Sequence, residues 1–529
     1  MTALTHKWAQ PLFLAFALVL GGCTHSPVQQ DGPTQALLAS ESAFGRSILA
    51  QAAPHEGRSG FRLLPNSTEA FMARAELIRN AKTSLDLQYY IVHDGLSTRA
   101  LVDELLKAAD RGVRVRILLD DTTSDGLDEV IATLAAHPNI QIRLFNPLNL
   151  GRSTGATRSL GRLFNLSLQH RRMHNKLWLA DSAVAIVGGR NLGDEYFDAE
   201  PNLNFTDIDM LSVGPVAEQL SHSFDQYWNS TLSKPVDDFL YWPPDMKDLA
   251  EARKRLAASL DQSHVQKKAL YERLMAYKTH PRMKTWLNEL IWAHNQALWD
   301  APTKVLSRGE PDSHLLLTTQ LSPDLLNVHQ ELMMISAYFV PGQQGLTYLT
   351  GLADSGVSVS LLTNSLEATD VPAVHGGYAP YRKALLAHGV KLFELRRQPG
   401  DPSNRGSGPR FLRTKTFKGG SESSLHSKAM IFDQRKTFVG SFNFDPRSVL
   451  WNTEVGVLVD SPELTGYLRD LALQGMAPAI SYQAKLENDR VVWVTEDNGK
   501  MHTIYKEPGD WWRRLNAWFA SAVGLERML

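Results

Sequence analysis

The chain has 529 residues, of which 43% are hydrophobic and 21% charged, a composition typical of a globular protein and not of a disordered or collagen-like one. This length exceeds that of one ordinary core and predicts two to four domains of ~150 residues. Because 55 Lys and Arg residues balance 56 Asp and Glu residues, no overall positive charge favours nucleic acid. The single cysteine excludes an intramolecular disulfide and a thiolate metal cluster.

The first residues are typical of a bacterial secretory signal. Residues 11–22, PLFLAFALVLGG, form an apolar run too short to span a bilayer, and LGGC, ending at Cys23, is similar to a lipobox with a lipid-modified cysteine. We predict a lipoprotein signal peptide over 1–23 and a tether over 24–59. The protein would then be a membrane-anchored lipoprotein facing the periplasm of a bacterium, with a peripheral position on the inner membrane as the alternative. A buried N-terminal helix with a chance cysteine is a further alternative.

The two halves of the chain repeat each other. Four segments of the first half recur in the second half, in the same order and at nearly the same offset. The pairs are 85–95 with 334–345, 109–121 with 353–365, 174–191 with 426–443, and 204–215 with 451–462. Chance explains such an order poorly, so we predict an internal duplication.

In chain order, each half alternates helices and strands. Residues 98–112 have helical spacing and a terminal glycine, and 114–121 alternate and then become apolar, as a buried strand does. Residues 425–433 and 436–443 are short, β-branched and aromatic, and predict a hairpin. The tail sequence WWRRLNAWFASAVGL, residues 511–525, predicts an amphipathic helix that lies either on a membrane surface or on the protein core.

These patterns predict an α/β fold of two duplicated domains, each a mixed β-sheet flanked by helices, packed with pseudo-twofold symmetry. The domain limits that we predict are 60–235 for the first domain, 236–312 for a helical insertion or linker, 313–485 for the second domain, and 486–529 for a C-terminal extension with the amphipathic helix.

Polar residues recur inside the apolar strands. His174 and Lys176 are two residues apart, so on a strand they share one face, and His426 and Lys428 have the same spacing. An asparagine, Asn191 or Asn443, follows each histidine after 17 residues and comes just after small residues that permit a close backbone approach. Packed together, the two halves would offer two imidazoles, two ammonium groups and two amides.

That set of groups suits a phosphodiester. Lysine and asparagine side chains can donate to the non-bridging oxygens and stabilise a pentacoordinate transition state. One neutral imidazole can attack phosphorus to form a phosphohistidine, while the other, protonated, gives its proton to the leaving alkoxide. Each imidazole then needs a carboxylate that orients it, and Glu454 and its counterpart Asp207 are the candidates.

The two motifs, HNKLWLAD…GGRN and HSKAMIFD…GSFN, resemble the paired HKD signatures of the phospholipase D superfamily. Other segments, including RGVRVRILLDD, SAYFVP and LLTNSLEATDVPAVHGGYAPYRKALL, are similar to those of cardiolipin synthase C-type enzymes, over roughly Gly60 to the C-terminus. The resemblance implies two phospholipase D-like domains that share one active site, with no catalytic metal and no other cofactor.

The resemblance also implies a reaction. A phosphatidyl group would pass from phosphatidylethanolamine or phosphatidylglycerol to the glycerol hydroxyl of phosphatidylglycerol, giving cardiolipin. It implies a supporting structural role for the motif aspartates, Asp181 and Asp433, and acceptor contacts for His375 and Tyr378, for which a packed helix start is the alternative. The resemblance to the superfamily favours His174 as the nucleophile.

Other functions stay open at this point. A hydrolase, either a phospholipase D or a nuclease, would use the same site with water in place of the lipid hydroxyl, and the neutral net charge argues against the nuclease. A catalytically silent lipoprotein that binds only lipid is a second alternative, against which the intact second histidine and lysine argue. The expected partners are phospholipids and a membrane surface; the donor lipid and the oligomeric state are left undetermined.

Overall fold

The computed structural model describes residues 34–121, 128–147, 171–201, 203–240, 242–397 and 422–522. Cys23, the predicted signal peptide and the first part of the predicted tether lie outside these residues. Within the described ranges, no helix has the length and apolar character that crossing a membrane requires.

The first half alternates helices with strands, as the sequence predicts. Helix α3 shows why: Leu101, Leu105 and Ala108 recur along one face, and all three are buried. The elements in chain order are α1 (Ala43–Ala52), β1 (Ser59–Leu64), α2 (Ser67–Asn80), β2 (Ser84–Tyr89), α3 (Leu96–Asp110), β3 (Arg114–Asp120), α4 (Asp128–Ala135), β4 (Ile140–Phe145), β5 (Leu177–Ala180), β6 (Val184–Gly188), β7 (Leu203–Thr206), β8 (Asp209–Val213) and α5 (Pro215–Trp228).

The segment between the halves contains helices and also strands. Its elements are β9 (Ser233–Pro235), α6 (Met246–Gln266), α7 (Lys268–Leu274), α8 (Met283–Asn288) and β10 (Ile291–Trp299). Helix α6 begins with a capping box in which Asp245 and Asp248 each bond to the other's backbone N–H group. The sequence predicted only helices here, and the nine-residue strand β10 is an addition to that prediction.

The second half repeats the first. Its elements are α9 (Leu317–Leu326), β11 (Glu331–Ser336), α10 (Gly342–Asp354), β12 (Ser358–Asn364), α11 (Pro372–Tyr378), α12 (Arg382–Ala387), β13 (Lys391–Leu395), β14 (Glu422–Leu425), β15 (Lys428–Phe432), β16 (Lys436–Gly440), α13 (Pro446–Leu450), β17 (Val455–Asp460) and α14 (Pro462–Gly475). The predicted hairpin is confirmed, because β15 and β16 pair antiparallel from Ala429 opposite Val439 to Phe432 opposite Lys436. The C-terminal elements are β18 (Ser481–Glu487), β19 (Arg490–Asp497), β20 (Lys500–Ile504) and α15 (Trp511–Ala522).

The strands form two equivalent half-sheets that β10 joins. The first has the order β9-β4-β3-β2-β5-β6-β8-β1, with β2, β3 and β4 parallel. The second has the order β17-β16-β15-β11-β12-β13-β18-β19-β20, with β11, β12 and β13 parallel. Strand β10 pairs with β1 through Ile291–Ala293 and with β17 through His294–Trp299. The mixed sheets and the duplication therefore agree with the prediction.

The two halves share one buried core. A single cluster of buried side chains draws on both half-sheets, with Val187 and Met210 from the first and Val439 and Val457 from the second. Fully burying one such side chain contributes about 1.5–3 kcal/mol, so this shared cluster holds the halves in a fixed relation. A second link is the parallel pairing of β7 with β14, from Leu203 opposite Glu422 to Thr206 opposite Leu425.

Candidate active site

The two repeated motifs meet at one site. His174 and Lys176 come just before β5, and His426 and Lys428 stand at the corresponding start of β15. All four side chains are buried, and the ammonium charges of both lysines act on both imidazoles. The structure thus brings together the four residues that the sequence singled out first.

Each histidine is held by the opposite half of the chain. The backbone N–H of His174 donates to the carbonyl of Thr453 at 2.9 Å, and that of His426 donates to the carbonyl of Thr206 at 2.8 Å. Each threonine precedes one of the two candidate carboxylates. The pairing of backbones therefore delivers each carboxylate to the histidine of the other half.

The side chains complete this crossed arrangement. Nδ1 of His174 lies 2.9 Å from Oε2 and 3.0 Å from Oε1 of Glu454, and Nδ1 of His426 lies 2.8 Å from Oδ2 of Asp207. When the carboxylate is ionised it can only accept, so Nδ1–H is then the donor in each pair. This fixes the tautomer that leaves the Nε2 lone pair of each imidazole available.

Glu454 is itself held from several sides. The Ser441 hydroxyl donates to its Oε2. Its backbone N–H donates to Oδ2 of Asp300 at 2.8 Å, and the Lys304 ammonium lies 3.0 Å from the same oxygen. Burial raises the pKa of Glu454 to about 7, against the opposing effect of Lys176.

In the first half, the carboxylate that contacts the histidine lies beside a glycine and not beside a serine. Gly189 occupies the position that Ser441 has in the second half, and a Cβ there would lie 2.4 Å from the Asp207 carboxylate oxygens. The shorter acid therefore fits only because Gly189 has no side chain. Burial raises the pKa of Asp207 as well, although Lys428 lowers it.

Both imidazoles are neutral in this arrangement. Burial, followed by the charges of Lys176 and Lys428, lowers the pKa of His174 well below its ordinary value. Burial and the same two lysines lower the pKa of His426 well below the ordinary value too. Each imidazole therefore keeps a basic nitrogen that can act as a nucleophile or a base, and neither ring is an imidazolium in the free protein.

The two lysines are buried cations. Nζ of Lys176 donates to the carbonyl of His174 at 2.6 Å, and Nζ of Lys428 donates to the carbonyl of His426. Burial lowers the pKa of Lys176 well below its ordinary value and lowers that of Lys428, in each case against the attraction of Glu454 and Asp207. An anion placed between these ammonium groups would relieve the cost of their burial.

The motif aspartates lie at the far ends of their strands. Oδ1 of Asp181 accepts from the backbone N–H groups of Lys82, Thr83 and Ser84, at 3.1, 2.9 and 2.9 Å. Asp433 takes the matching position in the second half, where it accepts from the N–H groups of 329, 330 and 331. Both carboxylates therefore anchor the start of the neighbouring strand, β2 or β11, and their supporting role in the reaction stays a prediction.

The motif asparagines position loops and aromatic rings. Oδ1 of Asn191 accepts from the Ile91 N–H at 3.2 Å, and its Nδ2 donates to the Tyr196 hydroxyl at 2.9 Å. Oδ1 of Asn443 accepts from the Tyr338 N–H at 3.4 Å. Contact between the NH₂ groups of these amides and phosphate stays a prediction.

Aromatic rings that the sequence did not single out enclose the histidines. Tyr90 lies edge-on to His174 with ring centroids 5.1 Å apart, and Tyr196 lies edge-on to His426 at 5.3 Å. Phe205 approaches His426 at 5.1 Å. These rings pack against the two imidazoles, which are both buried.

His375 and Tyr378 sit on α11 with their polar atoms directed into the protein. Nε2 of His375 lies 2.7 Å from Oε1 of Glu507, and the Tyr378 hydroxyl donates to Oε1 of Glu394 at 3.1 Å. His375, Glu394 and Glu507 are close enough to hold a metal ion, but the guanidinium of Arg382 lies among them, in ion pairs with both carboxylates. This placement favours a packing role, and the contact with an acceptor lipid stays a prediction.

Comparisons with known proteins agree with this geometry. The sequence matches the family described as cardiolipin synthase, PLD-like domain, over residues 75–228 and again over 323–473. The chain belongs to the phospholipase D superfamily, in its cardiolipin synthase-like family. Each matched stretch contains one of the two HKD motifs, so this chain contains both copies of the phospholipase D-like domain.

Two relatives are similar over nearly the full length. The chain is 37% identical to cardiolipin synthase C of Escherichia coli (strain K12) over 489 residues, which cover 91% of this chain and 99% of that protein. It is 33% identical to an uncharacterized protein of Helicobacter pylori (strain J99) over 442 residues, which cover 83% of each. A solved phosphatidylserine synthase of Haemophilus influenzae Rd KW20 shares the fold, with a TM-score of 0.56 at 13% identity, over 91% of this chain and 100% of that one.

Proposed function

We propose that this phospholipase D-family chain makes cardiolipin by moving a phosphatidyl group from one phospholipid to the glycerol hydroxyl of phosphatidylglycerol, through a phosphohistidine. The observation that carries the proposal is the pair of crossed His–carboxylate contacts beside two buried lysines. Two equivalent imidazoles suit a reaction of two displacements, in which one histidine holds the phosphatidyl group while the other handles protons.

In the first displacement, Nε2 of His174 attacks phosphorus and forms a P–N bond. The P–O bond to the headgroup breaks, and the electron pair stays on the leaving oxygen. His426, protonated at Nε2, gives its proton to that oxygen, so that ethanolamine or glycerol leaves as the neutral alcohol. Glu454 keeps the His174 proton on Nδ1, which supports its role as a positioning residue for the nucleophile.

In the second displacement, His426 is neutral and acts as the base. It takes the proton of the glycerol hydroxyl of a second phosphatidylglycerol while that oxygen attacks phosphorus. The P–N bond breaks, cardiolipin leaves, and His174 and His426 return to their starting protonation states. Asp207 is then the carboxylate that stabilises the imidazolium each time His426 holds a second proton.

The lysines are the electrostatic part of this proposal. The charge of the pentacoordinate phosphorus lies on its non-bridging oxygens, and Lys176 and Lys428 supply buried cations beside them. Burial is the main cause of the low pKa of His426, and the two lysine charges add to it; the anionic phosphodiester would oppose those two charges. Substrate binding therefore raises the pKa of His426 and creates the acid that the first displacement needs.

The choice of lipids follows the likeness to cardiolipin synthase C of Escherichia coli. We assign phosphatidylethanolamine or phosphatidylglycerol as donor and phosphatidylglycerol as acceptor. The N-terminal sequence LGGC supports a lipid anchor at Cys23 that holds the protein on a membrane facing the periplasm. Globomycin-sensitive processing at Cys23 would support the anchor, and a mature protein that retains Met1 would rule it out.

The experiment is a product analysis. Purified full-length protein is incubated with phosphatidylglycerol and phosphatidylethanolamine, and the lipids are identified by mass spectrometry. Cardiolipin should form, and should fall below detection in His174→Ala and His426→Ala. The variant Ser322→Ala serves as control, because it removes a hydroxyl on an exposed face of α9. Phosphatidic acid as the sole product would show that the protein is a hydrolase and not a synthase. Full activity in either histidine variant would exclude the mechanism.

A further inference from the structure

Helix α15 docks on the protein through its small residues. Ala517 is buried against α11, and a Cβ on Gly376 would lie 2.1 Å from the Ala517 carbonyl oxygen, so only glycine permits this approach. On the same side of the helix, the Arg513 guanidinium donates to the carbonyl oxygens of Leu366 and Thr369, at 3.3 and 2.6 Å. The face that α15 buries is therefore narrow and is fixed by backbone contacts.

The opposite face carries the large apolar side chains. Successive helical residues are turned by ~100°, and this places the bulky residues within about 60° of Leu515 and places Ala517 and Arg513 on the other side. The exposed side chains and their exposed fractions are Trp511 70%, Trp512 56%, Leu515 44%, Trp518 65% and Phe519 56%.

This orientation is the reverse of what a helix of a globular protein shows. Such a helix buries its apolar stripe and exposes its polar one, whereas α15 buries alanine and a hydrogen-bonded arginine and exposes three tryptophans, a leucine and a phenylalanine. An exposed patch of this kind marks an interaction surface. Tryptophan predominates in it, and this ring has its greatest preference for the headgroup region of a membrane, where one edge is apolar and the other is wet.

The helix also contacts a segment that lies near the active site. Arg513 holds the carbonyl of Thr369, and the next residue, Asp370, accepts a 2.7 Å hydrogen bond from the Tyr338 hydroxyl. The Asp370 side chain is exposed, and its charge raises the pKa of both His426 and Lys428, so this carboxylate lies within electrostatic reach of the second motif. The segment 366–370, which accepts the hydrogen bonds from α15, therefore also approaches the site.

We propose that the exposed face of α15 is the surface with which the enzyme docks on a phospholipid bilayer. The helix lies in the plane of the membrane, with Trp512, Leu515 and Phe519 at the boundary between headgroups and acyl chains. The side of the protein that carries Asp370 then faces the bilayer, and we infer that a phosphodiester reaches the histidines from this side while its acyl chains stay in the membrane. This inference rests on the proposed function, because it requires lipids as substrates.

A depth measurement tests the docking directly. All proteins carry Cys23→Ser in the full-length chain, so that a second cysteine can be labelled uniquely and no N-terminal acyl chain contributes. A polarity-sensitive fluorophore is attached at Phe519→Cys, or at Val265→Cys as the matched control, since Val265 is 83% exposed on α6. Vesicles contain phosphatidylethanolamine and phosphatidylglycerol, with or without brominated acyl chains.

The label at residue 519 should shift its emission to the blue on vesicle addition and be quenched by the brominated lipids, and the label at 265 should show neither effect. A label at 519 that stays in water would overturn the docking proposal. Cardiolipin formation by the unlabelled Cys23→Ser protein is followed in the same vesicles. If no cardiolipin forms, the proposed function fails, and the quenching result still decides the docking proposal on its own.

A kinetic comparison separates docking from chemistry. In Trp512→Ser/Phe519→Ser, the rate on vesicles should fall about tenfold or more, because two interfacial anchors are lost. The rate on short-chain phospholipids dissolved as monomers should stay within about twofold, since no surface is involved. Leu326→Ser is the control, as Leu326 is 76% exposed on α9. Equal losses on both substrates, or no loss on either, would overturn the proposal.

Discussion

Because each histidine contacts a different carboxylate, substitution of one carboxylate at a time can distinguish the roles of the two histidines. Replacing Glu454 by glutamine keeps its size but puts an amide where the Nδ1–H of His174 now finds an acceptor at 2.9 Å. The amide NH₂ can donate to Nδ1, which favours the tautomer with the proton on Nε2 and removes the attacking lone pair. Asp207→Asn makes the same change for His426, across a distance of 2.8 Å. One substitution therefore disables the proposed nucleophile and the other disables the proposed acid and base.

The size of the effect follows from the tautomer. Replacing the orienting carboxylate of a catalytic histidine by an amide lowers kcat by about 10⁴-fold, which corresponds to about 5.5 kcal/mol. We expect a loss of this order for cardiolipin synthesis in both variants. A substrate with a good leaving group separates them, because p-nitrophenolate leaves without receiving a proton and so needs no general acid.

The assay is a rapid-mixing measurement with short-chain phosphatidyl-p-nitrophenol. Asp207→Asn should release a burst of one p-nitrophenolate per site within about tenfold of the normal burst rate, since only the acid step is lost. It should then retain a phosphatidyl group on His174, detectable by mass spectrometry of the peptide. Glu454→Gln should lose the burst by about 10³-fold or more. Equal losses in both variants, or a burst only in Glu454→Gln, would refute the assignment of His174 as nucleophile.

Three further predictions concern charge in and around the site. Binding of tungstate, a tetrahedral dianion, should take up close to one proton near pH 7, because the pKa of His426 is low in the free protein and the anion raises it. Calorimetry in two buffers of different ionisation enthalpy measures the number of protons taken up. Release of protons would contradict the prediction. Lys176→Met should lower kcat/KM by about 10²–10³-fold with the fold intact by circular dichroism, since one buried cation beside the phosphate is lost, and a change below threefold would remove Lys176 from the mechanism. Asp433→Asn should cost about 1 kcal/mol of unfolding free energy at pH 7, a value kept small because the side chain is partly exposed. Because backbone donors lower the folded pKa of Asp433 below 3.8 despite its burial, this difference should be present above pH ~4 and disappear as the pH falls through the folded pKa; chemical denaturation across this range tests it, and a difference that grows in acid would contradict it.

Much of the fold and the centre of the site could be predicted from the sequence, because a duplication compares the chain with itself. Residues that recur at matched positions, such as His174 with His426, stand out from residues that only one half contains. The carboxylates Glu454 and Asp207 were found in the same way. Their exchange between the halves could not be predicted, since each lies in its own repeat and only the pairing of Thr453 and Thr206 with the opposite histidines brings it across.

Features without a repeated counterpart were missed for physical reasons. Strand β10 lies between the repeats and is flanked by helical sequence, yet it takes beside β17 the place that β1 has beside β8. Ser441 and Gly189 differ because one supports a glutamate and the other makes room for an aspartate, and such a difference has no periodic signal. The tail helix was correctly predicted as amphipathic, but its sequence could not tell which face it buries.

The central claim is that the phosphatidyl group passes to a lipid hydroxyl and not to water. The most direct measurement uses phosphatidylglycerol as the only lipid, in water enriched in ¹⁸O, with the purified full-length protein and mass spectrometry of every phospholipid product. We predict cardiolipin without ¹⁸O, together with free glycerol, and no cardiolipin from His174→Ala or His426→Ala. Phosphatidic acid carrying one ¹⁸O atom, without cardiolipin, would contradict the account.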